Sequence, residues 1–571
     1  MSPKVADRRI RLLLAVLVVA FAVVFLRAFW LQGVRASSFG RLAASQHSQE
    51  VTLPAVRGTI YDRGGLQLAI GEQATTVYAD PRQVRDPRNE AASVARLLRL
   101  DPAKVYPQLA DRARAFVYIE RKADPARAAR LARRHLPGLG FYPEERRFYP
   151  QSALAAQVLG YAGVDNHGLA GLELSLDKVL AGRPGRERLI KDAAGQVIDT
   201  VQSQTERDGT DVYLTLDHTI QANAQVVLKQ TVAQWHAKSA TAIVLDPHSG
   251  AVLAMAVAPS FDANTYPQVW RAFQRNRAVT DTYEPGSTFK LVTVAGALSE
   301  HLVSPSTSFV LPYQIHVADR IIHDAEPRGT ETMTVARILA RSSNVGAITL
   351  AERLGQHRLA QWISRFGFGK PSGIDYPGES PGIVVPENKW SGSTIGNVPI
   401  GQGIAVTPIQ LASAYAAIAN RGVWVRPHLV HHVGDGASVV PARQRIVSRA
   451  VAAQLLAMLK NVVLDGTGQL AAVPGYQVAG KTGTAAKVDR DGTYSKTRYV
   501  ASFVGVVPAS RPRLVILVSV DEPRGAIWGG VVAAPAFSQI AKFDLQYLDG
   551  GITPDAPATS PTGTASSTVS H

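Results

Sequence analysis

The sequence predicts an α+β protein with one membrane-crossing helix near its start, and three observations predict it. An apolar run opens the chain, an Arg-rich helical stretch follows, and strand-like alternations bracket a helical middle in the second half. At 571 residues the chain is too long for one core and implies two or three domains.

An apolar fraction of 46% with 19% charged residues describes a globular chain rather than a disordered one. The formal net charge of +16 is dispersed Arg among Ala and Leu, with no aromatic-interleaved basic stripe. Nucleic-acid binding is therefore not expected, and attraction to anionic lipid or wall polymers is. There is no cysteine, which excludes disulfides and thiolate metal sites. His/Glu zinc spacings and phosphate-cradling Gly loops are absent too, so neither a metal nor another cofactor is expected.

Residues 12–31 are apolar except for Arg27, near the length that crosses a bilayer, and Lys4, Arg8, Arg9 and Arg11 precede them against a single Asp7. Residues 1–11 are expected in the cytoplasm, 12–31 as a single-pass anchor and the bulk of the chain outside. Ala20-Phe21-Ala22 has the small-x-small form of a cleavage site, but cleavage there would leave Val23-Val24-Phe25-Leu26 at the mature end. An uncleaved anchor fits better.

Residues 51–56 alternate like a strand, and Arg57-Gly58-Thr59-Ile60-Tyr61-Asp62-Arg63 reads as a structural turn with an Arg–Asp pair. Residues 81–150 read as helical and Arg-rich, 169–180 as an amphipathic helix and 196–201 as a strand. Residues 32–210 are expected to form a scaffold or docking domain. Composition changes at 211–216. A helix is predicted over 220–235, two strands over 240–245 and 251–257 around the turn 246–250, later strands over 478–483, 500–507 and 514–520, and a helix over 533–547. Residues 211–548 thus predict one antiparallel sheet flanked by helices, and 549–571, rich in Pro, Ser and Thr, a disordered tail.

The helical middle begins at Tyr283-Glu284-Pro285-Gly286-Ser287-Thr288-Phe289-Lys290. Pro285-Gly286 is a turn, and a helix is predicted from about Ser287, which places the hydroxyl where free N–H groups and the dipole favour negative charge. Ser287 and Lys290 share a helical face, where an unprotonated amine can take the hydroxyl proton. Such pairs also arise by chance: Ser175 and Lys178 form another, without a preceding turn. Ser287 is set apart by Ser342-Ser343-Asn344 and Lys481-Thr482-Gly483-Thr484 downstream. Acyl transfer needs a nucleophile, a base, an oxyanion hole and a proton donor. Ser287 is expected as the nucleophile, and Lys290 and Lys481 as cations that burial and mutual repulsion destabilise. Ser342 is expected to relay a proton, and Asn344 to hold a substrate amide or the Lys290 ammonium. Thr482, Gly483 and Thr484 form a strand rim for a substrate carboxylate, with the N–H groups of Ser287 and Thr484 as oxyanion donors.

The order S-x-x-K, S-x-N, K-T-G resembles penicillin-binding proteins and β-lactamases. With Arg57 to Arg63, Gly401-Gln402-Gly403, Thr407-Pro408, Asp521-Glu522-Pro523, Gly529-Gly530 and Ala533-Ala534-Pro535, the chain is similar to class B penicillin-binding proteins, most of all the division-specific type called penicillin-binding protein 3 or FtsI. The resemblance implies a pedestal, or dimerisation, domain followed by a penicillin-binding/β-lactamase-like transpeptidase domain. It implies crosslinking of peptidoglycan stem peptides ending in D-Ala-D-Ala, through a serine acyl-enzyme, at the septum and outside the inner membrane. β-Lactams would acylate the same serine, and an FtsW-type membrane glycosyltransferase and other division proteins would be partners. Gln157 stands where His is usual and Trp528 where Tyr is common; both bear on subtype. The alternatives are an elongation-specific transpeptidase, an anchored β-lactamase-like hydrolase and a non-catalytic sensor or scaffold.

Overall fold

The computed structural model describes residues 3–34, 48–53, 55–191, 197–489 and 491–550; the tail from 551, expected to be disordered, lies outside them. The described residues of 1–56 and 182–209 form one compact unit, and those of 57–181 and 210–571 the other. In the first, the helix Pro3–Phe29 runs into a π-helical turn, Trp30–Val34. Its stretch Ile10–Gly33, 24 residues at a mean hydropathy of 2.8, is long and apolar enough to cross a membrane and fits a single-pass anchor. The same unit holds three antiparallel strands, Ser48–Leu53, Gly185–Lys191 and Val197–Gln204, with Gly185–Lys191 in the middle.

The second unit begins with a sheet in which Gln67–Ala79 lies between Val117–Ala123 and Leu139–Phe148. The region read as helical therefore contains two unforeseen strands. Their charges hide the alternation: Arg121 pairs with Glu144 across the sheet at 2.7 Å, and Arg146 pairs with Glu72 at 2.5 Å. The helices that are present begin alike, at Asp86-Pro87, Asp101-Pro102 and Asp124-Pro125. Each Asp accepts a hydrogen bond from an N–H of the first turn, and each Pro occupies the position where a missing N–H costs nothing. The helix expected over 169–180 is broken at Leu176 into Gly171–Ser175 and Asp177–Leu180.

Arg57 does not pair with an aspartate of its own turn. Its buried guanidinium meets Glu173 and Asp177, each at 2.6 Å, while Asp62 accepts from His218 and from the N–H groups of Gly64 and Leu66. Glu173, also buried, is shared with Arg147 at 2.6 Å. One carboxylate thus neutralises two buried guanidiniums. Glu173→Gln should lower stability by about 3–5 kcal/mol, because it takes from buried Arg147 its counter-ion and from Arg57 one of two; thermal unfolding measures it. The segment around Ser175 and Lys178 belongs to this network through Asp177.

The larger part of the second unit is built on one sheet. Helix α1 (His218–Gln234) leads into strands β1 (Ser239–Leu245) and β2 (Val252–Ala258). Helix α2 (Lys290–Ser299) and helix α3 (Pro408–Ala419) follow, then strands β3 (Ala479–Val488), β4 (Tyr494–Val507) and β5 (Leu514–Asp521) and helix α4 (Ala534–Asp549). The order is β2-β1-β5-β4-β3, antiparallel throughout, as the strands at both ends predicted. Alternation divides the central strands between two cores. Ala240, Ala242 and Val244 of β1 with Ile516, Val518 and Val520 of β5 pack with Ile220 and Leu228 of α1 and Phe537 and Ile540 of α4. Ile243, Leu245, Val515 and Leu517 face the core that contains α2 and α3. Strand β3 is left at the edge.

Candidate active site

The nucleophile segment opens as a 3-10 turn, Gly286–Phe289, and becomes α-helical only at Lys290, later than predicted. The tighter turn follows from its braces. Thr288 donates its hydroxyl to the Pro285 carbonyl at 2.7 Å, the buried Tyr415 hydroxyl of α3 donates to the Thr288 carbonyl at 2.8 Å, and the Gly286 N–H donates to Gly401. The Lys290 N–H donates to the Ser287 carbonyl, and residues i and i+3 of a 3-10 turn share one edge, so Ser287 and Lys290 lie on the same side of it. Gly286 sits at φ +54, and a Cβ there would lie 2.8 Å from the Thr484 carbonyl oxygen. On β3, a Cβ at Gly483 would lie 2.9 Å from the Pro285 carbonyl oxygen. The edge strand and the turn meet through backbone, which only glycine permits.

Lys290 and Lys481 are both fully buried. The Lys290 amine donates to the Ser342 carbonyl at 2.5 Å, to Asn344 Oδ1 at 2.7 Å and to Ser342 Oγ at 3.3 Å. The Lys481 amine reaches the same Ser342 Oγ at 3.0 Å and the Thr482 carbonyl at 3.3 Å. One hydroxyl therefore lies between two amines. Burial pushes the Lys290 amine down to about 7, with the charge of Asp324 opposing. Lys481 is pushed well down, by burial first and by the Lys290 charge second. Thr482 shares a 2.7 Å hydrogen bond with the Thr467 hydroxyl, and Thr484 Oγ1 accepts from the Gly529 N–H at 3.1 Å. The three distant segments thus form one groove. Beside it a cavity of about 790 Å³ is lined by Tyr283, Glu284, Gly403, Ala485 and Ala486 among others. Glu284 accepts from the Gly403 N–H at 2.8 Å and from the Tyr494 hydroxyl at 3.1 Å, and burial raises its pKa.

The middle motif is organised by a residue that carries no sequence motif, Asp324. Ser342 is left-handed (φ 59) at the end of helix Val335–Arg341, and Ser343 caps helix Asn344–Leu354 by accepting from the Gly346 N–H at 3.0 Å. The junction is held by buried Asp324, which accepts from Ser343 Oγ at 3.0 Å and from the N–H groups of Asn344 and Val345 at 2.5 and 3.0 Å. Arg328 anchors that carboxylate at 2.6 Å. Asp324→Asn should slow acylation by penicillin about tenfold or more, since small misplacements of reacting groups cost up to about 10²-fold. Removing the charge that holds the Lys290 pKa up should also move the midpoint of the pH–rate profile to lower pH, a shift that loosened geometry alone would not produce.

Residues 240–542 match the penicillin-binding protein transpeptidase domain, and residues 52–214 match the penicillin-binding protein dimerisation domain. The chain belongs to the class B penicillin-binding proteins. It is 33% identical over 561 residues to peptidoglycan D,D-transpeptidase FtsI of Escherichia coli, covering 96% of this chain and 93% of that one. It is 34% identical over 556 residues to stage V sporulation protein D of Bacillus subtilis, covering 95% and 86%. The crystal structure of penicillin-binding protein 3 from Mycobacterium tuberculosis, complexed with aztreonam, superposes with a TM-score of 0.69 at 32% identity, over 88% of this chain and 98% of that one. The enzyme is accordingly a peptidoglycan D,D-transpeptidase.

Proposed function

We propose that residues 211–548 act as the transpeptidase domain and 32–210 as the pedestal, and that Ser287 attacks the penultimate D-Ala carbonyl of a stem peptide. Lys290, one 3-10 turn away and close to neutral, takes the serine proton. The tetrahedral oxyanion rests on the backbone N–H groups of Ser287 and Thr484. Ser342 passes a proton between the lysines and the departing terminal D-Ala, Asn344 keeps the Lys290 amine in place, and Thr482, Gly483 and Thr484 grip the leaving carboxylate. An amine from a neighbouring strand then attacks the acyl-enzyme and the serine is regenerated. The single observation that carries this reading is the Ser342 hydroxyl placed between two buried amines.

β-Lactams would be trapped on the same serine; the Mycobacterium tuberculosis neighbour is itself complexed with aztreonam. Mass spectrometry of penicillin-treated protein tests it: one adduct of unchanged lifetime on the peptide holding Ser287 is expected, and turnover of penicillin, or an adduct elsewhere, refutes it.

The reading extends to a septal role, with the N-terminus in the cytoplasm, the bulk of the chain outside the inner membrane, and an FtsW-type polymerase as partner. Supporting it are Tyr283-Glu284-Pro285-Gly286 and the likeness to FtsI. The comparable likeness to a sporulation protein favours a second reading, another morphogenetic role for the same chemistry. Depletion decides between them: filaments with unfinished septa support the first, and normal division refutes it.

A further inference from the structure

A second cavity, of about 500 Å³, lies behind the helix that braces the nucleophile turn. Ser413 of α3 lines it, while Tyr415, about 200° round the helix from Ser413, donates its hydroxyl to the Thr288 carbonyl. Every residue of α3 is buried, so one packed element separates the cavity from the turn that carries Ser287.

The lining has a consistent chemistry. Arg365 and Lys370 are cations, no acidic side chain lines the cavity, and among the described residues neither cation has an ion-pair partner. Glu379 is occupied by the N–H groups of Ser372 and Gly373, at 2.6 and 3.0 Å. Phe366 and Trp424 supply ring surfaces. The hydroxyls of Ser413, only 3% exposed, and of Ser372 are buried without a hydrogen-bond partner among the described residues. A buried hydroxyl left unpaired costs free energy that a polar ligand recovers.

We propose that this cavity is an effector site for a sugar acid of the N-acetylmuramic acid type, whose occupancy alters acylation at Ser287 through α3. The carboxylate lies against Arg365 and Lys370, and ligand hydroxyls meet Ser372 and Ser413. The C–H faces of the ring, weakly positive, lie on the negative faces of Trp424 and Phe366. A peptide-free stretch of the glycan on which a transpeptidase works would present the same acid. The regulatory half of the proposal rests on Ser287 as the nucleophile.

The test titrates N-acetylmuramic acid, neutral N-acetylglucosamine and peptide-free glycan strands into the full-length detergent-solubilised protein by calorimetry, and measures the rate of labelling by a fluorescent penicillin with and without each. Saturable binding of the acid is expected, at least tenfold weaker for the neutral sugar and for Arg365→Glu/Lys370→Glu. Labelling should change at least twofold at saturation in the native protein and not in the variant. Those side chains are exposed, so the variant should fold, and Ser413→Leu, which fills the cavity, gives a second block to binding. Tighter binding of the strands, lost in the same variants, identifies the polymer as the source. No saturable binding of either acid-bearing probe, binding that survives the charge reversal, or an unchanged labelling rate at saturation overturns the proposal. Labelling without any sugar reports on Ser287 alone, so a failure of the nucleophile assignment is seen separately.

Discussion

Ser287→Ala is expected to take up no penicillin and to leave crosslinking at background, a fall on the order of 10⁵-fold or more, as for other enzymes that lose a serine nucleophile acting as part of a unit. Its melting temperature should not move. The braces of the turn run through neighbours: Thr288 to Pro285, Tyr415 to Thr288, and Gly286 to Gly401. The buried amines are held by Ser342 and Asn344. Deleting one hydroxyl from Ser287 removes none of these contacts. Thr288→Val is the informative contrast, because it loses a buried hydrogen bond worth about 1 kcal/mol and should lower both melting temperature and labelling rate. A Ser287→Ala protein that still forms a covalent penicillin adduct would place the nucleophile elsewhere.

The contrast between Ser287 and Thr288 also explains what could be read from the sequence and what could not. Hydroxyl, amines and amide are quoted in three short motifs, and strands β1 and β5 and the second half of β4, residues 500–507, announce themselves through mostly apolar runs, since both of their faces are buried. What brings the motifs together is written in residues with no local signature. Asp324 lies eighteen positions before Ser342 and acts by accepting hydrogen bonds from a helix junction, a role that any loop aspartate could fill on sequence grounds. The 3-10 turn reads as α-helix in the sequence because its braces come from Tyr415 and Gly401, more than a hundred residues away. Arg57 points, on sequence alone, to an aspartate of its own turn for the same reason: sequence proximity is visible, whereas the carboxylates of Glu173 and Asp177 reach it only through the fold. The strands Val117–Ala123 and Leu139–Phe148 carry no visible alternation because their charges are satisfied across the sheet.

Acylation should rise with pH through about 7 and level off above it. The Lys290 amine, pushed down to about 7 by burial, is protonated below that point and cannot accept the Ser287 proton; above it the free amine can. Lys290→Arg places a guanidinium there that stays charged throughout the accessible range, so the rate should fall by about 10²- to 10⁴-fold and the rise near 7 should disappear. The two lysines are not equivalent in this respect. Lys481 is lowered by burial and then by the Lys290 charge, whereas the Lys290 shift comes from burial with Asp324 opposing. Lys481→Ala should cut the rate but keep a rise with pH, because the Lys290 amine is still buried and is still the base. A midpoint that survives in Lys290→Arg and vanishes in Lys481→Ala would reverse the assignment and make Lys481 the base. Added salt should not move the native midpoint, because the Lys290 amine lies where mobile ions do not reach.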